Sequence, residues 1–375
     1  MLWAMGEKAQ VLVLGAYGLA GRAIVARLAA KTGFHVVAAG RNPQKLDGLL
    51  ASVRSERVRV RELDASDPRS LRDACTTASF VINAVGPYPR SGAAIARVVV
   101  ECGRPYLDCA NEQRHYHNLA ELDALVRGQA VPMITAAGAI PGLSTLLIAH
   151  LLERFPEATG VDCCWAQFRH AYADAGLASM MGGLLEAADR PVALREGKHA
   201  PLVVGRSTRH FDLPEPFGRQ RLLEVPTIDT LTIPAHFPLQ EFHTWFYMGD
   251  LPTGLLGIVR ILQPNRRPWA YRLIETIMRR INARDTRKAM AAGVGPESLL
   301  VAFIDNGKET TTHQMLFRDG AAATACLPVH IASRCLRNEI AKTGLLSPLD
   351  VVMPQELPSL VEDAALRLDI DAIPR

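Results

Sequence analysis

Gly15, Gly18 and Gly21 stand where an apolar run, "QVLVLG" (10–15), gives way to a helix-like stretch, "GRAIVARLAAK" (21–31). The chemistry such glycines offer is that of the bare backbone. After a buried strand, the first permits a tight turn, the middle one lets a pyrophosphate approach the main chain, and the last lets the helix pack close to the strand. N–H groups left unpaired at the helix start, with the helix dipole behind them, then bind the anion. The spacing here is G-x-x-G-x-x-G, one residue longer at the front than G-x-G-x-x-G. By itself it also fits a glycine-rich strand-to-helix turn that binds nothing. Tyr17 and Leu19 fall inside the same turn and join the expected site.

The end of the next strand separates these readings. It runs "AAGRNPQKL". A site for NAD places Asp or Glu there to receive the ribose 2′-hydroxyl, whereas a 2′-phosphate is met by Arg. Here Gly40 leaves room, Arg41 supplies a guanidinium, and Asn42 and Lys45 follow. A planar fork suits a phosphate monoester, so the expected cofactor is NADP. Asp64, at the end of a third strand, either borders the adenine or serves as a local cap. Ala84, Val85 and Gly86 close a fourth strand on the side where the nicotinamide half of such a fold binds.

Three residues are candidates for the chemical step. "GPYPRSG" reads as a loop closed by Gly92. In it Tyr88 could donate a proton and Arg90 could hold a substrate carboxylate; the alternatives are a packed ring and a solvated charge. In "DCANEQRHYH", Asp108, Asn111 and Glu112 share one sheet edge. Glu112 could act as general acid or base, or sit in a first helical turn where a carboxylate suits the dipole. His115 and His117, two apart on a helix, do not share a face, so no metal is expected. Arg169, His170 and Tyr172 follow the first strand of the second half without a sharper role. Neither a Tyr-x-x-x-Lys pair after the fourth strand nor a G-x-S-x-G elbow occurs.

The elements that must position these residues follow a regular rhythm. Strands are expected at "QVLVLG", "FHVVAAG", "VRVRELD", "FVINAVGP", "PYLDCA" and "VPMIT", with helices between them, including one capped by Asp67 with Pro68 at its first position, one over "SGAAIARVVVECG", and one over 114–128. This alternation predicts a parallel, doubly wound α/β sheet with right-handed crossovers. From "AIPGLSTLLIAHLLERF" onward the rhythm changes. "GVDCCWAQF", "LLEVPTIDTLTIP", "EFHTWFYMG", "ESLLVAFIDN" and "TTTHQMLFRDG" read as a mostly antiparallel sheet, with helices between 251 and 290 and a late helix near 329–342. The stretch 171–220 carries no assignable pattern. The expected division is a nucleotide-binding domain (1–140), an α+β substrate or oligomerisation domain (141–330), and a C-terminal helix and tail (331–375).

With these residues in view, the chain resembles the saccharopine dehydrogenase-like oxidoreductases. The matching stretches are "GAYGLAGRAIVARL", "AGRNPQKLDGL", "FVINAVGPYPRSGAAIARVVVECGRPYLDCANE" and "AAGAIPGLSTLL". The resemblance covers about the first 150 residues. It implies a Rossmann domain for NADP, a second domain whose C-terminal part packs back on the first, and reduction or oxidation of a C–N bond. Two departures stand out. Tyr17 replaces the usual Ser or Thr between the glycines, and "CANE" replaces "LTGE".

Composition excludes several classes. A formal net charge of +4 over 375 residues leaves no footprint for nucleic acid. Seven cysteines without a C-x-x-C pair argue against a disulfide framework or zinc and for a reducing, cytoplasmic setting. "MLWAM" is apolar but is interrupted by Glu7 and Lys8, so no signal peptide is expected. No apolar run is long enough to span a bilayer. The expected function is an NADP-dependent oxidoreductase moving hydride to or from a carbonyl or imine of a small substrate. The alternatives are an NADP-binding redox sensor without turnover, and an enoyl reductase acting in trans on a lipid. The stretch 251–290, with Arg266, Arg267, Arg279 and Arg280, reads as domain packing or a homodimer interface, with peripheral membrane contact as the other reading.

Overall fold

The computed structural model describes residues 9–167, 191–203, 206–215, 217–247, 267–291, 298–363 and 367–373. Arg169, His170, Tyr172, the apolar N-terminal residues and the start of the 251–290 stretch, Arg266 included, lie outside them.

Five consecutive residues, Gln10–Leu14, form β1, and all but the first are buried. A strand covered on both faces needs apolar side chains pointing both ways, and the run QVLVL provides them. It pairs in parallel with β2 (His35–Gly40) on one side and with β4 (Phe80–Asn83) on the other. β3 (Val58–Glu62), β5 (Tyr106–Asp108) and β6 (Pro132–Ile134) extend the sheet. Its seventh strand is β15 (Gly344–Leu346), so the order is β15-β6-β5-β4-β1-β2-β3. All six pairings are parallel. The order reverses between β1 and β4, and a ligand crevice opens at such a switch point beyond the strand ends. The helices between these strands are α1 (Leu19–Lys31), α2 (Pro43–Val53), α3 (Pro68–Cys75), α4 (Tyr88–Glu101), α5 (Gln113–Ala120) and α6 (Asp123–Gly128). Asp67 caps α3, accepting from the Arg69 and Ser70 N–H groups, with Pro68 at the first position.

Two expectations in this half are corrected. α4 begins at Tyr88, so "GPYPRSG" is not a loop: Tyr88 and Arg90 occupy the first helical turn and Gly92 lies within the helix. Pro89 favours a first turn, because its missing N–H would have had no helical partner there. The single helix expected over 114–128 is two helices, α5 and α6.

The chain divides into two compact units. The first comprises Met1–Asn111, His115–Leu146 and Ala321–Leu360; the second comprises Glu112–Arg114, Leu147–Gly320 and Val361–Arg375. α7 (Leu143–Arg154) runs across this division. The second unit is built on a nine-stranded sheet. Its main path is β10 (Thr208–Leu213), β11 (Gly218–Glu224), β12 (Glu241–Tyr247), β7 (Gly160–Gln167), β13 (Ser298–Asp305), β14 (Thr310–Phe317) and β16 (Arg367–Ile373), with the hairpin β8 (Val192–Arg195) and β9 (Lys198–Pro201) attached through β12. Among the described residues, only β12 and β7 pair in parallel in this sheet. Cys164, Phe211, Leu222, Trp245, Val301 and Phe303 pack on one another in its core. "LLEVPTIDTLTIP" is strand only as far as Glu224; Asp229–Thr232 is a single helical turn, α8. α9 spans Pro268–Ala291. The late helix, α10, spans Gly320–Leu336 and holds Pro328 in its interior, so it starts before the proline and ends before 342. α11 is Leu357–Asp363.

One polar cluster in the second sheet makes stability depend on pH. His243 sits between two carboxylates, with Nδ1 2.7 Å from Glu224 and Nε2 2.9 Å from Glu241. Both ring nitrogens can donate only when the imidazole is protonated. Arg195 also meets Glu224 at 2.8 Å, and Asp162 on the adjacent strand adds to the negative field. Burial pulls the His243 pKa down, but the bonds to Glu224 and Glu241 outweigh it and leave the ring above the ordinary histidine range. A group held above its unfolded pKa stabilises the fold below that value, and the contribution disappears as pH rises through the folded value. Urea midpoints are therefore expected to fall as pH is raised from about 6 to 8, and the slope is expected to flatten in His243→Gln. An unchanged slope in that variant would remove the histidine from the pH dependence.

Candidate functional site

At the end of β1 the backbone reverses over Gly15, whose φ of +71° is a conformation that side-chain-bearing residues rarely adopt. The Gly18 N–H closes the turn on the Gly15 carbonyl at 2.9 Å. α1 then leaves so close to the turn that a Cβ on Gly21 would lie 2.2 Å from the Gly15 oxygen. A Cβ on Gly15 would lie 2.7 Å from the Ala84 carbonyl oxygen at the end of β4. The same atom on Gly18 would meet only that Gly15 oxygen, at 3.1 Å. Gly15 and Gly21 thus make the turn possible, while Gly18 lies partly exposed on it.

The start of α1 has no side-chain cap and no acidic residue in its first turn. α2 and α3 are both capped, by Asn42 and Asp67. The first N–H groups of an α-helix have no partner within the helix, so those of α1, from Leu19 onward, are available to an anion. Ala84 and Val85 follow β4; the Ala84 N–H donates to Leu14 O at 2.9 Å, and the Val85 N–H donates to Asn83 Oδ1 at 3.0 Å. Gly86 is exposed and joined to Pro87 by a cis peptide.

At the end of β2 the space that Gly40 leaves is filled from within the protein. A Cβ there would lie 2.4 Å from the Tyr17 ring, because Tyr17 folds across the strand end. Lys45 Nζ lies 5.6 Å from the centre of that ring, a cation–π arrangement. Arg41 is exposed beside them. Asn42 spends its side chain on the helix cap, accepting from the Lys45 N–H at 2.9 Å. Asp64 is exposed, and its Oδ1 accepts from the Ser66 hydroxyl at 2.7 Å and the Ser66 N–H at 2.9 Å. Those bonds first, and the field of Arg41 after them, hold its carboxyl below the usual range. Tyr17, Arg41, Lys45 and Asp64 thus gather at the ends of β2 and β3.

Beneath the ends of β4, β5 and β6 lies a buried polar network that the sequence reading did not assemble. Asp108 is fully buried. Its carboxylate accepts from His115 Nε2 at 2.7 Å, Thr135 Oγ1 at 2.6 Å, Tyr106 OH at 2.9 Å and the Ala110 N–H at 3.1 Å. Asn83 in turn donates to Tyr106 OH at 2.9 Å. Burial alone would push Asp108 up; His115 and the other donors outweigh it and keep the carboxyl below its ordinary value. The His115 ring rests on Gly92, where a Cβ would lie 2.4 Å away, which explains the glycine inside α4. His117, its partner in the H-x-H pair, is exposed. The visible signal for this network was a pair, Asp108 and His115, seven residues apart across a strand end; Thr135 and Tyr106 carried none.

The chemical candidates have distinct surroundings. Tyr88 is buried, and its hydroxyl donates to the Asn83 carbonyl at 3.1 Å, with its ring 5.4 Å from that of His115. Arg90 is exposed on the first turn of α4. Glu112 is nearly buried and groups with the second unit. Asn111 is half-buried.

A comparison with known families matches residues 11–131, from β1 to the start of β6, to the family described as saccharopine dehydrogenase NADP binding domain. That stretch is similar to the family's NADP-binding domain. The matched range holds the turn at Gly15–Gly21, Arg41, and Asp108 with His115 and Tyr106; Thr135 lies just beyond it. Among curated proteins, the chain is 29% identical over 155 residues to a trans-acting enoyl reductase of Mycobacterium ulcerans, covering 40% of this chain and 36% of that protein. It is 30% identical over 138 residues to a lipid droplet localized protein of Caenorhabditis elegans, covering 34% of this chain and 32% of the relative. These alignments span only about a third of each relative. Among solved structures, apo saccharopine dehydrogenase (L-Glu forming) from Saccharomyces cerevisiae superposes with a TM-score of 0.65 at 14% identity, over 97% of this chain and 100% of that one. That likeness extends the shared fold to the second, mixed-sheet unit. Among the described residues no helix is long and apolar enough to cross a membrane.

Proposed function

We propose that the protein is an NADP-dependent oxidoreductase that moves hydride between the nicotinamide and a carbonyl or imine carbon of a small anionic substrate. The observation that carries this reading is the end of β2, where Arg41 stands exposed and no acidic residue receives a ribose 2′-hydroxyl. The glycine geometry fits the same cofactor: bulk is excluded where a pyrophosphate would approach, and the start of α1 is left without a cap. When bound, the nicotinamide supplies the hydride, and the protein supplies orientation and electrostatics.

Each group has an assigned task. The N–H groups at the start of α1 bind the pyrophosphate. Arg41 pairs with the 2′-phosphate, and Lys45, over Tyr17, adds a second positive charge. Asp64 borders the adenine. Ala84, Val85 and Gly86 line the nicotinamide side. Tyr88 shapes that side from beneath, since its proton is committed to Asn83. Arg90 holds the carboxylate of the substrate, and Glu112 exchanges the proton that accompanies hydride transfer. None of the described cysteines forms a disulfide, which suits a reducing cytoplasm. The partner is a small molecule rather than nucleic acid, and a homodimer is the assembly we expect.

Cofactor choice provides the test. Charge-assisted bonds are worth about 1.5–3 kcal/mol each, so loss of one is expected to weaken binding by about tenfold to a hundredfold. Arg41→Ala should raise the Kd for NADPH by that factor and leave the Kd for NADH nearly unchanged, as read by titration calorimetry. A wild type that prefers NADH, or a variant that keeps its NADPH preference, would show that Arg41 does not read the phosphate. A screen of carbonyl and imine metabolites by NADPH absorbance tests turnover; binding without oxidation by any of them would favour a sensor.

A further inference from the structure

α9 shows solvent an apolar pair set in positive charge. Trp269 is 57% exposed and Leu273 is 47% exposed. They are four residues apart, so they lie side by side on one face. Both are among the few large apolar side chains exposed on the described residues. On the adjoining side of the helix Ala270 and Ile274 are buried, so the helix already has its apolar contact with the protein. The exposed pair is surplus to it. Further along the outer face stand Arg280, Arg284 and Arg287, with Arg272 at its edge, all exposed. Arg267, just before the helix, is exposed as well. The full sequence of the helix holds five arginines and Lys288 against Glu275 and Asp285.

We propose that this outer face docks on an anionic phospholipid surface. Trp269 and Leu273 enter the boundary between headgroups and acyl chains, where an indole finds both an apolar body and a polar rim. The arginines lie along the helix beside them, stems toward the lipid and guanidinium groups toward lipid phosphates and serine carboxylates. Charge complementarity selects this occupant over the others. A second copy of the face would set arginines against arginines. Nucleic acid would use the charge but leave the Trp269–Leu273 pair in water. This docking is independent of the cofactor reading, and the failure of either leaves the other standing.

Vesicle flotation with the full chain tests it. The protein should float with phosphatidylcholine vesicles that contain phosphatidylserine, should do so far less with phosphatidylcholine alone, and should be released by high salt. A basic residue near such a surface contributes about fivefold in affinity, so Arg280→Gln, Arg284→Gln and Arg287→Gln combined should weaken binding about a hundredfold. Trp269→Ala with Leu273→Ala should abolish flotation. These side chains are exposed, so circular dichroism is expected to match wild type. If the apolar double variant nonetheless unfolds, the arginine variant decides alone. Equal binding to both vesicle types, binding that neither variant changes, or no binding to the anionic vesicles would overturn the proposal. So would a dimer in gel filtration that Trp269→Ala dissolves, because the face would then belong to a second copy.

Discussion

Asp108→Ala is expected to destabilise the first domain by several kcal/mol, since each buried donor left without an acceptor costs about 1–3 kcal/mol. The carboxylate satisfies His115, Thr135, Tyr106 and the Ala110 N–H at once, and all of these residues are fully buried. Removing it strands four donors in a region that also anchors the ends of β4, β5 and β6. Asp108→Asn should cost less, since one oxygen remains to accept, but its amide would face a donor it cannot accept from. Urea unfolding of the two variants measures the difference. A loss below about 1 kcal/mol for Asp108→Ala would match an ordinary single hydrogen bond and would mean that the network is not the anchor described.

The glycine turn yields the second large effect, and its glycines should behave differently. Gly18→Val is expected to fold, because the new Cβ would meet only the Gly15 oxygen at 3.1 Å. Its branched side chain would nevertheless occupy the place of the pyrophosphate and abolish NADPH binding. Gly21→Ala should fail in both respects. Its Cβ would stand 2.2 Å from the same oxygen, so the helix or the turn must move. Overpacking of this kind costs about 1–3 kcal/mol, and the displaced N–H groups no longer converge. Thermal unfolding and calorimetric titration of each variant separate the two cases. Normal NADPH binding by a folded Gly18→Val protein would mean that the turn is not the phosphate site.

The parallel half of the fold was legible because its signals are local. Buried runs such as QVLVL and FVIN, a glycine turn, and the Asp67–Pro68 cap each announce themselves within a few residues. The start of α4 was misplaced because two prolines looked like loop, although a helix accepts proline in its first turn. α10 was placed too late for a related reason: Pro328 marks a boundary in most sequences, but here the helix runs through it. The β8–β9 hairpin turns at Glu196 and Gly197, both at positive φ, yet each strand is only four residues long, too short for an apolar alternation to disclose it. β15 is three residues long and owes its strand conformation to a neighbour, β6, that no nearby residue reveals. In the site, backbone-binding positions could be read from glycine spacing. The Asp108 network could not, because Asn83 and Thr135 reach it only through the strand order. Tyr17 was seen as a departure from the family pattern, but its fold across Gly40 required coordinates.

The position of β15 also bears on how the domain comes to exist. Its partner β6 ends at Ile134, and β15 begins at Gly344, roughly 200 residues later. At about 5–20 residues per second, a ribosome needs on the order of 10–40 seconds to supply the missing strand. Until then β6 is an open edge of a sheet rich in buried apolar residues, the kind of edge that pairs with other chains. The domain named first in the sequence is therefore among the last to be completed, and closure across so long a separation is slow. A nascent chain of this protein spends that interval dependent on whatever shields the edge, and a fragment cut after β6 would keep the exposed edge permanently.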